Sequence, residues 1–438
     1  MGQLRFGTDG VRGRVPDDLN PDYVARLARA AAHILGPGPW LIGEDTRESS
    51  SVLASAFRDG LRAVGAKPEM GNVVPTPALA VAADMLGQPA AMITASHNPW
   101  YDNGVKIFAP GGLKLSDEVE QSIEAALHTE PFVDTHYRGF DLQQAVLSMY
   151  VWDFFADYSD DALAGLRIVL DCANGATYEA APQVLRRVGA DVIVINAEPN
   201  GRNINNGCGA TYPEGLRRAV VAHQADLGLA FDGDGDRVIA VDELGNIVDG
   251  DRMIALAALQ LRDEGQLTND TVVVTVMSNL GFHKAMVAAG INVVTTAVGD
   301  RYVLEALDAG DYAIGGEQSG HVIYRHLATT GDGLLAGLHL AAYVRSTGRS
   351  LADLAGTVMT SYPQVLVNVK VAERHPHVAA ELADEIAIAD ASLDGEGRIL
   401  VRPSGTEPLI RVMVEAATES LAQSTADSLA GVVLARFG

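Results

Sequence analysis

The stretch Phe231-Asp232-Gly233-Asp234-Gly235-Asp236-Arg237 decides how this chain is read. It sets carboxylates at i, i+2 and i+4 on one short loop, with glycines between them and an arginine directly after. Such groups repel one another unless a cation lies among them, and hard oxygen donors suit Mg²⁺ or Ca²⁺. The flanks, Leu227–Phe231 and Val238–Val241, are short apolar runs that predict strands. A lone Asp-Gly-Asp is usually a solvated turn, whereas a strand–loop–strand that gathers three carboxylates points to a metal site. An EF-hand is rejected. Asp232, Asp234, Asp236 and Glu243 match its first, third, fifth and last ligand positions, but Arg237 stands where its sharp turn needs glycine. Because Mg²⁺ is held by few protein ligands plus water or phosphate oxygens, a phosphate is the expected further ligand. The planar fork of Arg237 suits one.

Outward from this loop, strand and helix alternate along the chain. Helices are expected at Asp22–Leu35, Ser49–Val64, Pro77–Leu86, Leu142–Tyr158, Ala176–Val188, Arg252–Leu261, Gly281–Ala289 and Pro376–Ala389, with a last one from Glu419. Strands are expected at Trp40–Gly43, Ala90–Thr94, Arg167–Leu170, Asp191–Ile195, Thr271–Val276 and Val293–Thr296, with two more near Ile399 and Ile410. Breaks near Ala164-Gly165, Asp249-Gly250 and Tyr362-Pro363 divide the chain into residues 1–158, 159–249, 250–362 and 363–438. The first three units share a βαβ rhythm and similar length, which hints at triplication. Right-handed crossovers would then give mixed, mostly parallel sheets.

Five further segments carry chemistry. Thr94-Ala95-Ser96-His97-Asn98-Pro99 follows an apolar strand, and Asn-Pro stops regular structure, so Ser96 and His97 are expected on a tight, exposed loop. Asn103-Gly104 reads as a hairpin turn ahead of Lys106. Phe6-Gly7-Thr8-Asp9-Gly10-Val11-Arg12-Gly13 is a glycine-punctuated loop carrying Arg12, with no strand expected before it. Gly315-Gly316-Glu317-Gln318-Ser319-Gly320-His321 places a carboxylate, an amide, a hydroxyl and an imidazole between glycines, a set that can grip a polyhydroxyl ligand. Arg402-Pro403-Ser404-Gly405-Thr406-Glu407-Pro408, followed by Arg411, reads as an anion cradle. Neither GxGxxG spacing, a Gly-Lys phosphate loop nor a GxSxG elbow occurs, which disfavours dinucleotide binding, a Walker-type NTPase and acyl hydrolysis.

Composition narrows the class. The chain has 438 residues, 48% of them hydrophobic but only 6% aromatic, which fits layered α/β packing. A formal charge of −24 argues against nucleic acid or an anionic membrane as partner. Any anionic substrate must then be held by a few placed Arg, Lys and His residues. Two cysteines without a CxxC spacing lead us to expect a reducing cytoplasm. The polar stretch from Met1 to Asp9 leads us to expect no signal peptide.

Together the serine, metal, sugar and phosphate loops resemble the α-D-phosphohexomutase superfamily, in its order and approximate spacing, over essentially the whole chain. Asp171-Cys172-Ala173-Asn174-Gly175-Ala176, Val298-Gly299-Asp300-Arg301-Tyr302-Val303 and Gln318 are most similar to its bacterial phosphoglucosamine mutase branch. The resemblance implies an α/β fold of three related domains around a central cleft, plus a smaller α+β C-terminal domain. It implies that Ser96 is phosphorylated. One Mg²⁺ per subunit would be held by Asp232, Asp234 and Asp236, with the phosphoserine oxygen of Ser96 as a further ligand. Glu317, Ser319 and Gln318 would meet the sugar, and Arg402, Ser404, Gly405, Thr406 and Arg411 its non-reacting phosphate. Lys106 and His321 match positions for proton transfer or orientation, and Arg12 and Arg237 positions near the transferring phosphate. The implied reaction interconverts glucosamine 6-phosphate and glucosamine 1-phosphate, with glucosamine or glucose 1,6-bisphosphate as intermediate and activator, and a homodimer is compatible with it. The alternatives are a phosphomannomutase or phosphoglucomutase, a metal-dependent phosphatase, and a non-catalytic sugar-phosphate-binding protein.

Overall fold

The computed structural model describes residues 4–7, 9–128, 137, 139–154, 158–404 and 408–438. They fall into two compact units, Met1–Met277 with Ile291–Gly356, and Ser278–Gly290 with Thr357–Gly438.

In the first unit one strand order occurs three times. Pro39–Glu44 lies between Lys67–Val73 and Ala90–Ile93, parallel to both, and Ala90–Ile93 pairs antiparallel with Asp102–Ala109. Arg167–Asp171 lies likewise between Asp191–Ile195 and Leu227–Phe231, which is followed by antiparallel Val238–Asp242. Thr271–Thr275 lies between Asn292–Thr296 and Ile314–Gly316, followed by antiparallel Val322–Tyr324. The triplication hinted at by rhythm is therefore present as topology. In each sheet the connection from the third parallel strand to the antiparallel one carries a motif: the serine loop, the metal loop and the sugar loop. Open α/β sheets place ligands outside the carboxyl ends of their parallel strands, and here three equivalent ends each supply one loop.

The elements form for ordinary reasons. Helix Pro21–Leu35 starts at Asn20, whose side chain accepts the Tyr23 N–H at 3.0 Å, and proline occupies its first turn. Its buried face, including Val24, Leu27 and Ala31, joins Trp40, Phe57 and Leu61 in one core. Each large apolar side chain so buried contributes about 1.5–3 kcal/mol. The run expected as one helix over Ala176–Val188 is a 3₁₀ turn, Ala176–Tyr178, followed by a helix, Ala180–Arg187. Pro182 lacks an N–H and so fits only the first turn of that helix. The last turn of the helix expected over Leu142–Tyr158, here Gln143–Phe154, includes residues 155–157, outside the described residues.

Two expectations are corrected. Asn103-Gly104 is not a turn but lies inside the strand Asp102–Ala109. A Cβ on Gly104 would stand 2.5 Å from the Thr94 carbonyl oxygen and 2.8 Å from that of Val11, so close backbone packing, not turn geometry, requires this glycine. Asn103 spends its amide on Ser49 and Ser50 (2.9 and 3.0 Å). The glycine-punctuated N-terminal loop in turn contains a strand, Val11–Arg14, antiparallel to Asp102–Val105.

The second unit is a three-stranded antiparallel sheet, with Leu409–Ala416 between Gln364–Lys370 and Gly397–Pro403. Helix Glu419–Phe437, capped by Thr418, packs Ala422, Leu429 and Val433 into a core with Val369, Ile410 and Val412. Helix Leu280–Ala288 belongs to this unit as well. The Glu415 carboxylate, fully buried, accepts the Leu280 N–H at 2.9 Å and two Arg398 N–H bonds at 3.1 Å.

Candidate active site

The serine and metal loops meet. Ser96 adopts φ +52°, and its hydroxyl donates to Asp232 Oδ2 at 2.5 Å. It is fully buried rather than exposed, because the metal loop lies against it. Gly233 makes that approach possible, since a Cβ there would stand 2.5 Å from the Ser96 carbonyl oxygen. His97 Nδ1 lies 3.3 Å from Ser96 Oγ. Burial, then Arg237 and Arg12, push the His97 pKa down to about 4.

Asp232, Asp234 and Asp236 are all buried and bring carboxylate oxygens within 4.8 Å of one another. Asp232 Oδ1 accepts the Gly235 and Arg237 N–H groups at 3.1 and 3.2 Å. Lys106 donates to Asp234 Oδ2 and Asp236 Oδ2, each at 2.8 Å, and lies 3.0 Å from Asp9 Oδ2. Thr76 adds a bond to Asp234 Oδ2 at 2.6 Å. The other oxygens, Asp234 Oδ1 and Asp236 Oδ1, are buried without a hydrogen-bond partner. Asp236 Oδ1 has His321 Nδ1 at 3.8 Å and Arg237 Nε at 3.9 Å, both beyond hydrogen-bonding distance. Burial, then Asp236 and Asp234, raise the pKa of Asp232 well above the usual carboxylate range. One ammonium does not balance this cluster. An all-oxygen set with two unpartnered buried carboxylate oxygens fits a hard divalent cation such as Mg²⁺.

Around this centre stand the other expected residues. Arg12 pairs with Asp9 and reaches the Ala95 carbonyl at 3.4 Å. Arg237 shows about a fifth of its side chain to solvent, as does Arg12, while Lys106 and His321 are buried. His321 lies between Asp236 and Asp300, its Nε2 3.6 Å from Asp300 Oδ2. Burial works against its protonation, but Asp236 and Asp300 outweigh that and raise its pKa. Glu317, Gln318 and Ser319 form the hairpin turn between Ile314–Gly316 and Val322–Tyr324. Glu317 Oε1 accepts the Gly299 N–H at 3.2 Å, and Gln318 Nε2 reaches Asp249 at 3.4 Å. The Gly320 carbonyl accepts the N–H of Val238, next to the metal loop, at 3.0 Å.

In the second unit Arg402 and Arg411 face each other across paired strands. Like charges directly opposite are unfavourable in a sheet, and burial together with Arg411 lowers the Arg402 pKa. Arg411 Nε is buried without a hydrogen-bond partner, and the Ser404 N–H bonds the Leu409 carbonyl at 2.8 Å. Two facing guanidinium groups suit a phosphate. Gly405 and Thr406 lie outside the described residues.

Sequence reasoning passed over several residues here. Asp9 and Asp300 lie inside quoted motifs, but nothing local marked them as partners of Lys106 and His321. Lys114, which bonds both Asp9 (3.3 Å) and Asp300, lies in no motif.

Family models match the chain from end to end. Phosphoglucomutase/phosphomannomutase domains I, II and III, each alpha/beta/alpha, match residues 3–134, 148–245 and 249–362, and the C-terminal domain of that family matches 366–432. The chain belongs to the phosphoglucomutase/phosphomannomutase family. Within this phosphohexomutase family it is 50% identical over 441 residues to the phosphoglucosamine mutase of Saccharopolyspora erythraea, covering 98% of this chain and 99% of that one. A phosphoglucomutase/phosphomannomutase family protein from Burkholderia thailandensis shares the fold with TM-score 0.83 at 23% identity, over 99% of this chain and 98% of that one. Aspergillus fumigatus N-acetylphosphoglucosamine mutase, solved with GlcNAc-6P and magnesium, superposes with TM-score 0.69 at 21% identity, over 100% and 96%. Among the described residues no helix is long and apolar enough to cross a membrane.

Proposed function

We propose that the chain is a phosphoglucosamine mutase that interconverts glucosamine 6-phosphate and glucosamine 1-phosphate through a phosphorylated Ser96 and a 1,6-bisphosphate. The observation that carries this reading is the 2.5 Å contact between Ser96 Oγ and Asp232 beside two further buried aspartates. As a hydroxyl, Ser96 donates to Asp232. Once phosphorylated it has no proton to give and about −1.5 to −2 charge, so two anions face each other unless a cation joins them. Asp232, Asp234 and Asp236, with a phosphoserine oxygen, are the groups that would hold Mg²⁺. When bound, the ion supplies charge neutralisation and polarises a phosphoryl oxygen.

Phosphoryl transfer asks for positioning and charge stabilisation more than for covalent help. Lys106 directs its ammonium to Asp9, Asp234 and Asp236, so it orients the carboxylates and offsets their charge. Arg12 and Arg237, each with about a fifth of its side chain open to solvent, meet the phosphoryl oxygens. Glu317 and Ser319 take the sugar hydroxyls, His321 steadies Asp236, and Arg402, Ser404, Gly405, Thr406 and Arg411 hold the distal phosphate. The Ser96 Oγ–P bond breaks as the bond to the sugar oxygen forms, and the hydroxyl proton ends on the serine oxygen. The bisphosphate then turns end over end, and its other phosphate returns to Ser96. A hexose 1,6-bisphosphate is accordingly the activator that loads Ser96. The division into residues 1–158, 159–249, 250–362 and 363–438 gives each domain one loop of the cycle.

An amino sugar presents an ammonium at C2, and the neutral amide of Gln318 offers no charge to pair with it. Discrimination against glucose should therefore be modest, roughly tenfold, the worth of about one neutral hydrogen bond. The test is kcat/KM for glucosamine, glucose and mannose 6-phosphates with one preparation of phosphorylated enzyme. Glucosamine phosphate should lead, with detectable turnover of glucose phosphate. A lead for glucose or mannose phosphate would reject the amino-sugar assignment and leave a phosphohexomutase.

A further inference from the structure

The backbone of Ser96 is clamped by residues that the proposed cycle does not use. Arg47 lies between the strand Pro39–Glu44 and the helix Ser50–Arg62, with its side chain fully buried. A guanidinium has five N–H donors in a rigid fork. Here Nε–H goes to Asp45 Oδ2 at 2.8 Å. Nη2 donates to the Ser96 and Asn98 carbonyls at 2.7 and 2.9 Å, and Nη1 to the Asp102 carbonyl at 3.1 Å and to that of Pro99. Four of the five donors thus go to backbone carbonyls of a single seven-residue loop.

Asp45 completes the clamp. Its Oδ2 also accepts the Thr94 hydroxyl at 2.7 Å, and Thr94 Oγ1 accepts the Ser96 N–H at 2.9 Å. Its Oδ1 accepts Ser50 Oγ at 2.7 Å and the Arg47 N–H at 3.0 Å. From the second domain, Asn205 Nδ2 donates to the Ser96 carbonyl at 2.8 Å. Both backbone groups of Ser96 are therefore fixed by side chains. The residue needs this, because a non-glycine residue at φ +52° costs on the order of 1–3 kcal/mol and persists only where its surroundings hold it.

We infer that Arg47, with Asp45 and Thr94, is a positioning group for phosphoryl transfer, holding the serine loop so that Ser96 Oγ stays aimed at the metal loop as the serine gains and loses its phosphate. The inference rests on the reading of Ser96 as phosphoryl carrier. Charge is not the active feature, since Arg47 is paired with Asp45; the fork is. A lysine would keep the charge but supply three donors from one point, too few for the five acceptors.

The test uses Arg47→Lys and the near-isosteric Thr94→Val, each as the full-length enzyme loaded with glucose 1,6-bisphosphate. Intact mass gives the phosphate on Ser96 before and after a single turnover with glucosamine 6-phosphate. A misplacement of about 1 Å costs on the order of a hundredfold in rate, so kcat and the single-turnover rate per loaded site should fall by roughly that factor. KM for the sugar phosphate should stay within about threefold, because other loops bind it. Counting only loaded sites removes any loss due to unfolded protein, and Thr94→Val decides if Arg47→Lys does not fold. If wild-type Ser96 takes up no phosphate, the carrier reading falls and this inference with it. If wild type loads while both variants turn over at wild-type rates, or KM rises in step with the fall in kcat, the carrier reading stands and the positioning role is overturned.

Discussion

Two regions of this molecule are read as phosphate sites, and they are built in opposite ways. Where Ser96 meets the metal loop, charges are buried and tied by protein partners, Lys106 on Asp234 and Asp236, Thr76 on Asp234 and Arg47 on the loop carbonyls, while Asp234 Oδ1 and Asp236 Oδ1 are buried without one. In the C-terminal domain, Arg402 and Arg411 stand opposite each other, half-buried, and burial together with Arg411 lowers the Arg402 pKa. The first arrangement suits a group that is made and broken, because displacements there change the barrier. The second suits a group that is held and released, because an arginine pair with like charges opposed gains from any phosphate that arrives.

That contrast can be broken by substitution. The largest effect is expected at the metal loop. Asp234→Asn removes one of the three converging carboxylate charges and disturbs the Lys106 and Thr76 bonds, so kcat should fall by about a hundredfold or more, with more Mg²⁺ needed for half-maximal activity. Activity in excess chelator equal to that in Mg²⁺ would remove the metal from the account. A smaller effect is expected from Arg402→Ala and Arg411→Ala, each losing about 1.5–3 kcal/mol of charge-assisted binding. That loss should appear mainly in KM, and equally for the 1-phosphate and the 6-phosphate. A defect confined to one direction would show that the pair does not serve both orientations of the sugar.

Much of this centre was legible in the sequence because each loop carries its chemistry locally. Asp232, Asp234 and Asp236 repel one another within five residues, and Glu317 to Ser319 sit together between glycines. The three loops proved to occupy equivalent ends of three repeated sheets, a relation that strand rhythm hints at but that only strand order displays. The clamp on Ser96 was not legible. Asp45-Thr46-Arg47 resembles any polar turn, and its partners lie about fifty residues away and are backbone carbonyls, which leave no mark on side-chain spacing. Asn103-Gly104 misled for the complementary reason. Its local signal is that of a hairpin, but the Thr94 and Val11 backbones close in on Gly104 and hold the segment straight. Tertiary contact overrode local propensity there.

The central claim is that Ser96 carries the phosphoryl group. The direct measurement is intact mass with peptide mapping of wild type and Ser96→Ala, each loaded with glucose 1,6-bisphosphate and then mixed with glucosamine 6-phosphate for one turnover. Wild type should carry one phosphoryl group on Ser96, lose it as glucosamine 1,6-bisphosphate appears, and regain it as the 1-phosphate is released. Ser96→Ala should carry none and turn over no substrate while remaining folded. Product formation by Ser96→Ala, or by wild type whose Ser96 is never phosphorylated, would contradict the account.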